Sequence, residues 1–378
     1  MRVVNILHAR YAVSVLFFFC GLIFTSWASR IPAFKDQFHL NEAELGGILF
    51  MLPLGSFIAL PFAGWAVDKF GSRLMGPLSV IFYAFALYGL SLSPTIFMLS
   101  FSLFIFGFLG DTVNIAMNTQ GLDVQHALKK PILSSFHALW SVGALCGALV
   151  GGWTLKLNIS TDIHFLIIFI PVALLAIINY YFLIPADDKE DDGKKLLAMP
   201  DKALMLIGII CLCCTLVEGA MADWSSLYYK EVLTDPTSVS TTGFTGYAFA
   251  MALGRFSGDK LIHMFGYKKV LMIDAVLIAA GMSLALATPY PVVVILGFAL
   301  VGYGVGTVIP IAYGIAGKSK TMRPSVALAA VSTVGFTGFL IGPPIIGFIA
   351  HEIGLRMALA LVVVLGILVL MLSTRVRS

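Results

Sequence analysis

The chain has 378 residues, 59% of them apolar and 12% charged, with a mean hydropathy of +0.96 and a net charge of +4. A soluble protein charges about a quarter of its residues and could not hide this much hydrocarbon. The composition excludes a soluble enzyme, and it makes the basic excess a matter of membrane topology rather than of nucleic-acid binding.

Apolar runs of about 20 residues, each long enough to cross a bilayer, recur from end to end. They predict an all-α membrane protein with twelve spans, at approximately 11–33, 42–66, 73–92, 95–122, 132–155, 163–184, 203–226, 240–258, 268–288, 290–316, 325–349 and 355–373. Arg2 and Arg10 precede the first span, and Arg30 and Pro32 follow it without a small-residue cleavage site, so no cleavable signal peptide is expected.

Arg30 lies near the outer end of span 1, one turn after Trp27. It suits a snorkelling arginine, an ion pair with Asp223, or a clamp on an anionic solute. Asn41 with Glu44 predicts a capping box at the start of span 2. Between spans 2 and 3 comes Gly64–Arg73, GWAVDKFGSR, with Asp68, Lys69, Gly71 and Arg73 in one tight turn. Two bases in a short loop mark the cytoplasmic side, and Gly71 suits a turn position with positive φ.

Span 4 carries the clearest chemistry. Asp111, Asn114 and Asn118 are spaced i, i+3, i+7 and share one helical face. Acids inside the hydrocarbon layer mark proton routes, and amides match the hydroxyls of a sugar. The rival role for this strip is interhelical glue. Asp123, at the inner end of the span, is placed to pair with Arg73 or Lys69 and latch the inner face. In span 5, His137 sits beside Ser134, Ser135 and Ser141, where it serves either as a structural hydrogen-bonder or in a proton relay. Trp27, Trp140 and Trp224 are placed either to stack on a sugar ring or to pack and anchor.

At Pro185 the composition turns polar, with the run ADDKEDDGKK. Residues 185–202 are expected to form a cytoplasmic linker, with partner docking as the other use of such a segment. It would join a six-helix bundle at 1–184 to another at 203–378. Span 7 brings Glu218, a second proton-site candidate near mid-membrane or else a paired structural acid, and then Asp223 and Trp224 farther out. By spacing, Glu218, Ser225 and Tyr229 share a face. Arg255 with Asp259 forms an i,i+4 pair at the end of span 8, and Asp274 is expected near that surface. The glycines of spans 5 and 11, with Pro343 and Pro344, allow close packing and bending.

The five cysteines all fall in apolar segments and read as buried small hydrophobes. No Gly-Lys-Ser loop, nucleophile elbow or metal cluster appears, so neither enzymatic activity nor a cofactor is expected. Eighteen of the 24 Lys and Arg fall in segments assigned to the cytoplasm, against Lys35, Lys156, Lys230 and Arg356 outside. That bias places both termini inside.

The two halves echo each other weakly but repeatedly. Ser26-Trp27-Ala28-Ser29 stands six spans from Asp223-Trp224-Ser225-Ser226, Gly110-Asp111-Thr112-Val113 from Gly306-Thr307-Val308, and Gly143, Gly147 and Gly151 from Gly338 and Gly342. The loop motif returns, stretched, as Gly258-Asp259-Lys260 with Phe265-Gly266-Tyr267-Lys268. These echoes predict two pseudo-symmetric six-helix bundles.

The loop pattern G-x-x-x-D-[RK]-x-G-x-[RK] resembles the loop between helices 2 and 3 of major facilitator superfamily transporters, with Ser72 standing where that family usually has a base. ASWASRIP, AMNTQG, FHALWSVGALCG, EGAMADWSSLYY and GFLIGPP are similar to segments of its fucose-permease-like branch. The resemblance implies the major facilitator fold and proton-driven transport of small, often carbohydrate-related solutes. In that branch an acid often occupies the place of Asn114, so here the proton role would pass to Asp111 one turn away.

The expected function is therefore a proton-coupled secondary transporter for a sugar or sugar derivative, working as a monomer in the cytoplasmic membrane. Asp111 and Glu218 would carry protons. Trp27, Arg30, Asn114, Asn118, His137, Trp140, Asp223 and Trp224 would face the solute, and Asp68, Lys69, Gly71, Arg73 and Asp123 would gate. The rivals are a proton-driven efflux pump for amphipathic compounds, favoured by a cavity of Phe and Met with one acid, and a non-transporting membrane sensor.

Overall fold

A computed structural model describes residues 5–129, 132–185, 201–232, 241–316, 319 and 324–376. Every element of it is helical: α1 (Ile6–Ala28), α2 (Ile31–Phe38), α3 (Glu42–Phe70), α4 (Ser72–Ser91), α5 (Ile96–Leu128), α6 (Leu133–Lys156), α7 (Thr161–Asn179), α8 (Lys202–Val232), α9 (Thr242–Ala287), α10 (Pro291–Ala316), α11 (Pro324–Ile353), α12 (Leu355–Ala358) and α13 (Ala360–Ser373). A 3-10 turn, Tyr180–Phe182, follows α7.

Among the described residues, eleven helices are long and apolar enough to cross a membrane. The twelfth expected span is the first part of α9, before Gly266, where the backbone leaves helical geometry at φ 75° and ψ 161°. Threonines, glycines and Arg255 make this stretch less apolar than its neighbours, which is why it fails as a separate span on composition alone. Span 1 also differs from expectation, because the chain breaks at Arg30 and restarts as the short α2 around Pro32.

The chain forms two compact units, Met1–His39 with Ile48–Glu190, and Leu40–Gly47 with Asp191–Ser378. Most of the expected linker, residues 186–200, lies outside the described residues, as do the side chains of Ser134 and Asp259. In the first unit α1 packs on α6, and α4 packs on α5 and α7. In the second unit α8 packs on α11, and α9 packs on α10 and α13.

The same contact chemistry closes α1 on α6 and α8 on α11. Thr25 Oγ1 donates to the Ala144 carbonyl at 2.8 Å, and a Cβ on Gly147 would collide with that hydroxyl. Thr215 Oγ1 donates to the Gly335 carbonyl at 2.6 Å, and a Cβ on Gly338 would collide with it. A threonine facing a glycine lets backbones approach and satisfies the hydroxyl where no water is available. The glycine echo between spans 5 and 11 thus has a packing cause in each unit.

The loop echo has a conformational cause. Gly71 has φ 80° and ψ 142°, close to Gly266 in the stretched second copy. Only glycine adopts that region freely, so both copies of the turn need it. The predicted capping box is present: Glu44 N donates to Asn41 Oδ1 at 2.9 Å and Asn41 N to Glu44 Oε2 at 3.0 Å. Phe82, Phe85, Phe101, Trp153, Phe256 and Phe348 are exposed, a surface suited to lipid rather than water.

Candidate solute site and coupling residues

The polar strip on α5 is a continuous hydrogen-bonded chain. Asn114 Nδ2 donates to Asp111 Oδ1 at 3.3 Å, and Asn118 Nδ2 donates to Asn114 Oδ1 at 2.7 Å and to its carbonyl at 2.8 Å. Asp111 is buried, Asn118 half-buried and Asn114 exposed, so the chain leads from the surface of the unit to a buried acid. The second carboxyl oxygen of Asp111 is buried and has no hydrogen-bond partner among the described residues. Glue between helices would have used that oxygen, because an unpaired buried acceptor costs about 1–3 kcal/mol.

Aromatic rings surround this acid's helix. Gly110, the residue before Asp111, packs against the Tyr83 ring, which lies 4.4 Å from Phe106. Phe106 in turn approaches Trp27, whose buried indole nitrogen has no hydrogen-bond partner among the described residues. On α6, half-buried Trp140 lies 6.2 Å from Phe24, and exposed His137 meets Phe17 edge-on at 5.1 Å.

Arg30 does something the sequence does not reveal. It is 4% exposed, and its Nε donates to His164 Nδ1 at 3.1 Å, while Nη2 donates to Thr154 Oγ1 at 3.0 Å and to the Ile159 carbonyl at 2.9 Å. The expected pairing with Asp223 is replaced by three bonds inside its own unit. Snorkelling is replaced as well, since the guanidinium is enclosed. Arg30 ties the end of α1 to α6, to the α6–α7 turn and to α7. His164 and Thr154 were missed because nothing local marks a histidine or threonine as an arginine partner more than 100 residues away.

The loop at Gly64–Arg73 also departs from expectation. Arg73 Nε donates to the Tyr180 carbonyl at 3.2 Å and its guanidinium lies 4.8 Å from the Tyr180 ring centre. Lys69 lies 4.9 Å from the Trp65 ring centre and 5.4 Å from that of Phe70. Both bases are thus engaged by carbonyl or aromatic groups instead of by Asp123, which is half-buried and has other interactions. Asp68 is exposed. The buried tie at this end is Gln120, unnoticed in the sequence, which donates to Ser72 Oγ at 2.8 Å and to the Ile184 carbonyl at 2.9 Å, and accepts from Ile184 N at 3.0 Å.

In the second unit Arg255 Nη2 donates to Glu218 Oε1 at 3.3 Å. The expected pairing of Arg255 with Asp259 falls on a side chain outside the described residues. Asp223 is half-buried, and Trp224 is fully buried, its indole nitrogen having no hydrogen-bond partner among the described residues. Ser225 and Tyr229, which share the Glu218 face by spacing, are buried. Asp274 is 1% exposed, and Thr307 of α10 donates its hydroxyl to the carboxylate. The five cysteines are free, and no three His, Cys, Asp or Glu among the described residues gather as metal ligands.

Comparison with known proteins gives the family. The Major Facilitator Superfamily model matches residues 13–241 and 211–377. An uncharacterized MFS-type transporter of Yersinia pestis is 34% identical over 359 residues, covering 92% of this chain and 91% of that protein. An uncharacterized transporter of Sinorhizobium fredii is 29% identical over 364 residues, covering 96% of each. Among solved structures, a mutant form of the nucleoside transporter NupG matches with a TM-score of 0.80 at 13% identity, over 99% of this chain and 100% of that one, which is a likeness of fold. The chain belongs to the Major Facilitator Superfamily. It is a multi-pass membrane transporter of small molecules and not an enzyme.

Proposed function

We propose that the protein is a proton-coupled secondary transporter of a small polar solute, a sugar or sugar derivative, working by alternating access in the cytoplasmic membrane. Residues 1–184 and 203–378 act as its two bundles, the linker 185–202 and both termini are cytoplasmic, and a single chain in the lipid bilayer suffices. Within the family it sits nearest the fucose-permease-like branch. Asp111 and Glu218 carry protons, and Asn114 and Asn118, with Trp27, Trp140, His137 and Trp224, face the solute. The Gly64–Arg73 turn, with Asp68 and Asp123, belongs to the inner gate. Arg30 holds the bundle together.

The observation that carries this reading is the Asp111–Asn114–Asn118 chain, which ends on a carboxyl oxygen with no hydrogen-bond partner among the described residues. An acid and two amides in register offer donors and acceptors to hydroxyls, and a place for a proton, where hydrocarbon would tolerate neither. An efflux pump for amphipathic compounds would have no use for three hydrogen-bonding side chains in a row.

Uptake into liposomes under an imposed pH gradient tests the proposal. With the purified protein, at least one member of a panel of sugars, amino sugars and sugar acids is expected to accumulate above equilibrium and to fall back when a protonophore is added. Purely downhill movement of every panel member, or expulsion of amphipathic cations in their place, would overturn it.

A further inference from the structure

The second unit holds a buried acid that the transport reading leaves unused. Asp274 lies eight residues past the Gly266 kink, about 12 Å along the second limb of α9, and is 1% exposed. Among the described residues its carboxyl makes one hydrogen bond, from the Thr307 hydroxyl of α10, and no ion pair. A carboxylate fixed in the hydrocarbon layer normally takes a cation or several donors. One neutral hydroxyl suffices for the uncharged acid and is thin for the ion.

Packing does not require an acid at this place. Gly71 and Gly266 share one backbone conformation, so the positions eight residues past each correspond. In the first unit that position is Ser79, 2% exposed, whose hydroxyl donates to the Met75 and Gly76 carbonyls of its own helix. Thr307 also departs from the usual habit of a helical threonine. Thr112, Thr119 and Thr245 each donate to the carbonyl four residues back, at 2.8–2.9 Å. Thr307 gives its described bond to Asp274 instead, which leaves the Tyr303 carbonyl as its other natural acceptor. It stands where α10 meets both limbs of α9, since a Cβ on Gly258 would lie 3.1 Å from the Thr307 methyl.

The helices packed on α9 are α10, α13 and α8. Besides Thr307, α10 brings Tyr303, whose hydroxyl is 2.8 Å from Ser257 Oγ. Between Ala360 and Ser373, α13 has no titratable side chain. From α8, buried Cys214 lies within electrostatic range of Asp274 and of Glu218, and Glu218 is engaged by Arg255. On α9 itself Lys268 donates to the Thr374 carbonyl, and His263 and Lys269 are exposed.

We propose that Asp274 is a proton-exchange site of the second unit and that Thr307 is its two-way partner. In the ionised form Thr307 donates to the carboxylate. Hydronium delivers one proton to a carboxyl oxygen and leaves as water. The new O–H donates to Thr307 Oγ1, and the threonine's own hydrogen turns to the Tyr303 carbonyl. One O–H bond forms, the charge of the site rises by one, and the bond between α9 and α10 reverses without being lost. The inference goes beyond the transport reading and holds whichever acid drives the solute.

The test is an infrared titration of the purified full-length protein in a lipid film, taken from mildly acid to mildly alkaline pH. Subtracting Asp274→Asn from wild type is expected to leave one protonated-carboxyl band that disappears as pH rises. Asp274→Ser, which copies the first unit, serves the same subtraction where the asparagine variant fails to fold. Thr307→Val, which keeps the shape and removes the hydroxyl, is expected to shift the band. It should also displace the midpoint by about one to two pH units, the worth of a hydrogen bond to a charged group. Thr307→Ser should restore both. A subtraction with no pH-dependent carboxyl band, or a band and midpoint unmoved in Thr307→Val, would overturn the proposal. No solute is needed, so that result would leave the transport reading standing, and loss of proton-driven uptake would leave this titration in place.

Discussion

Arg30→Ala is expected to destabilise the first bundle by about 1–3 kcal/mol, the cost of leaving buried acceptors without their donor. The truncation deletes three hydrogen bonds and leaves His164 Nδ1, Thr154 Oγ1 and the Ile159 carbonyl without their donor. His164 is fully buried, so water cannot take the guanidinium's place without a rearrangement of α7. Arg30→Lys should recover only part of the loss, because one ammonium on a flexible stem cannot reproduce a planar fork reaching three acceptors. Thermal unfolding of the purified protein in detergent checks this. A melting temperature unchanged in Arg30→Ala would show that the network holds nothing together.

Asp111→Asn is expected to abolish accumulation while sparing exchange. A pH gradient of one unit is worth about 1.4 kcal/mol per proton, enough to sustain about a tenfold solute gradient. Asparagine keeps the bond to Asn114 and resembles the protonated acid, so the loaded carrier still forms and still reorients. It cannot give up a proton, so the empty carrier has no route back. Uptake driven by pH should therefore fall to equilibrium, while counterflow of labelled against unlabelled solute continues near the wild-type rate. Accumulation at the wild-type level would move the essential proton to Glu218. Loss of counterflow as well would place Asp111 in solute binding rather than in coupling.

What was legible in the sequence is what depends on short stretches of chain. Hydropathy marks the spans, Asn41 and Glu44 sit three residues apart and make their capping box, and Gly71 reads correctly as a positive-φ turn. The spacing of Asp111, Asn114 and Asn118 predicts a shared face because helical period fixes it, and the structure turns that face into a hydrogen-bonded chain. The glycine echo was legible as a pattern, although its threonine partners Thr25 and Thr215 were not.

What was not legible depends on distant chain. Arg30 finds His164 and Thr154, and Gln120 finds Ser72 and Ile184, through packing that no local period encodes. Glu218 reaches Arg255 from another helix, a pairing that no local offset encodes. The hydroxyl that meets the buried Asp274 comes likewise from another helix, on Thr307. Charged residues inside spans are therefore found by composition, but their partners are set by which helices touch.

The central claim is that solute and proton cross together, and the most direct measurement follows the proton. Purified protein is placed in liposomes with no imposed pH gradient, in lightly buffered medium containing an external pH dye, and a solute that accumulates in the uptake assay is added outside. The account predicts that the medium turns alkaline in step with solute entry, that a protonophore removes the signal, and that Asp111→Asn gives none. Solute entry at the wild-type rate with no movement of protons would contradict it.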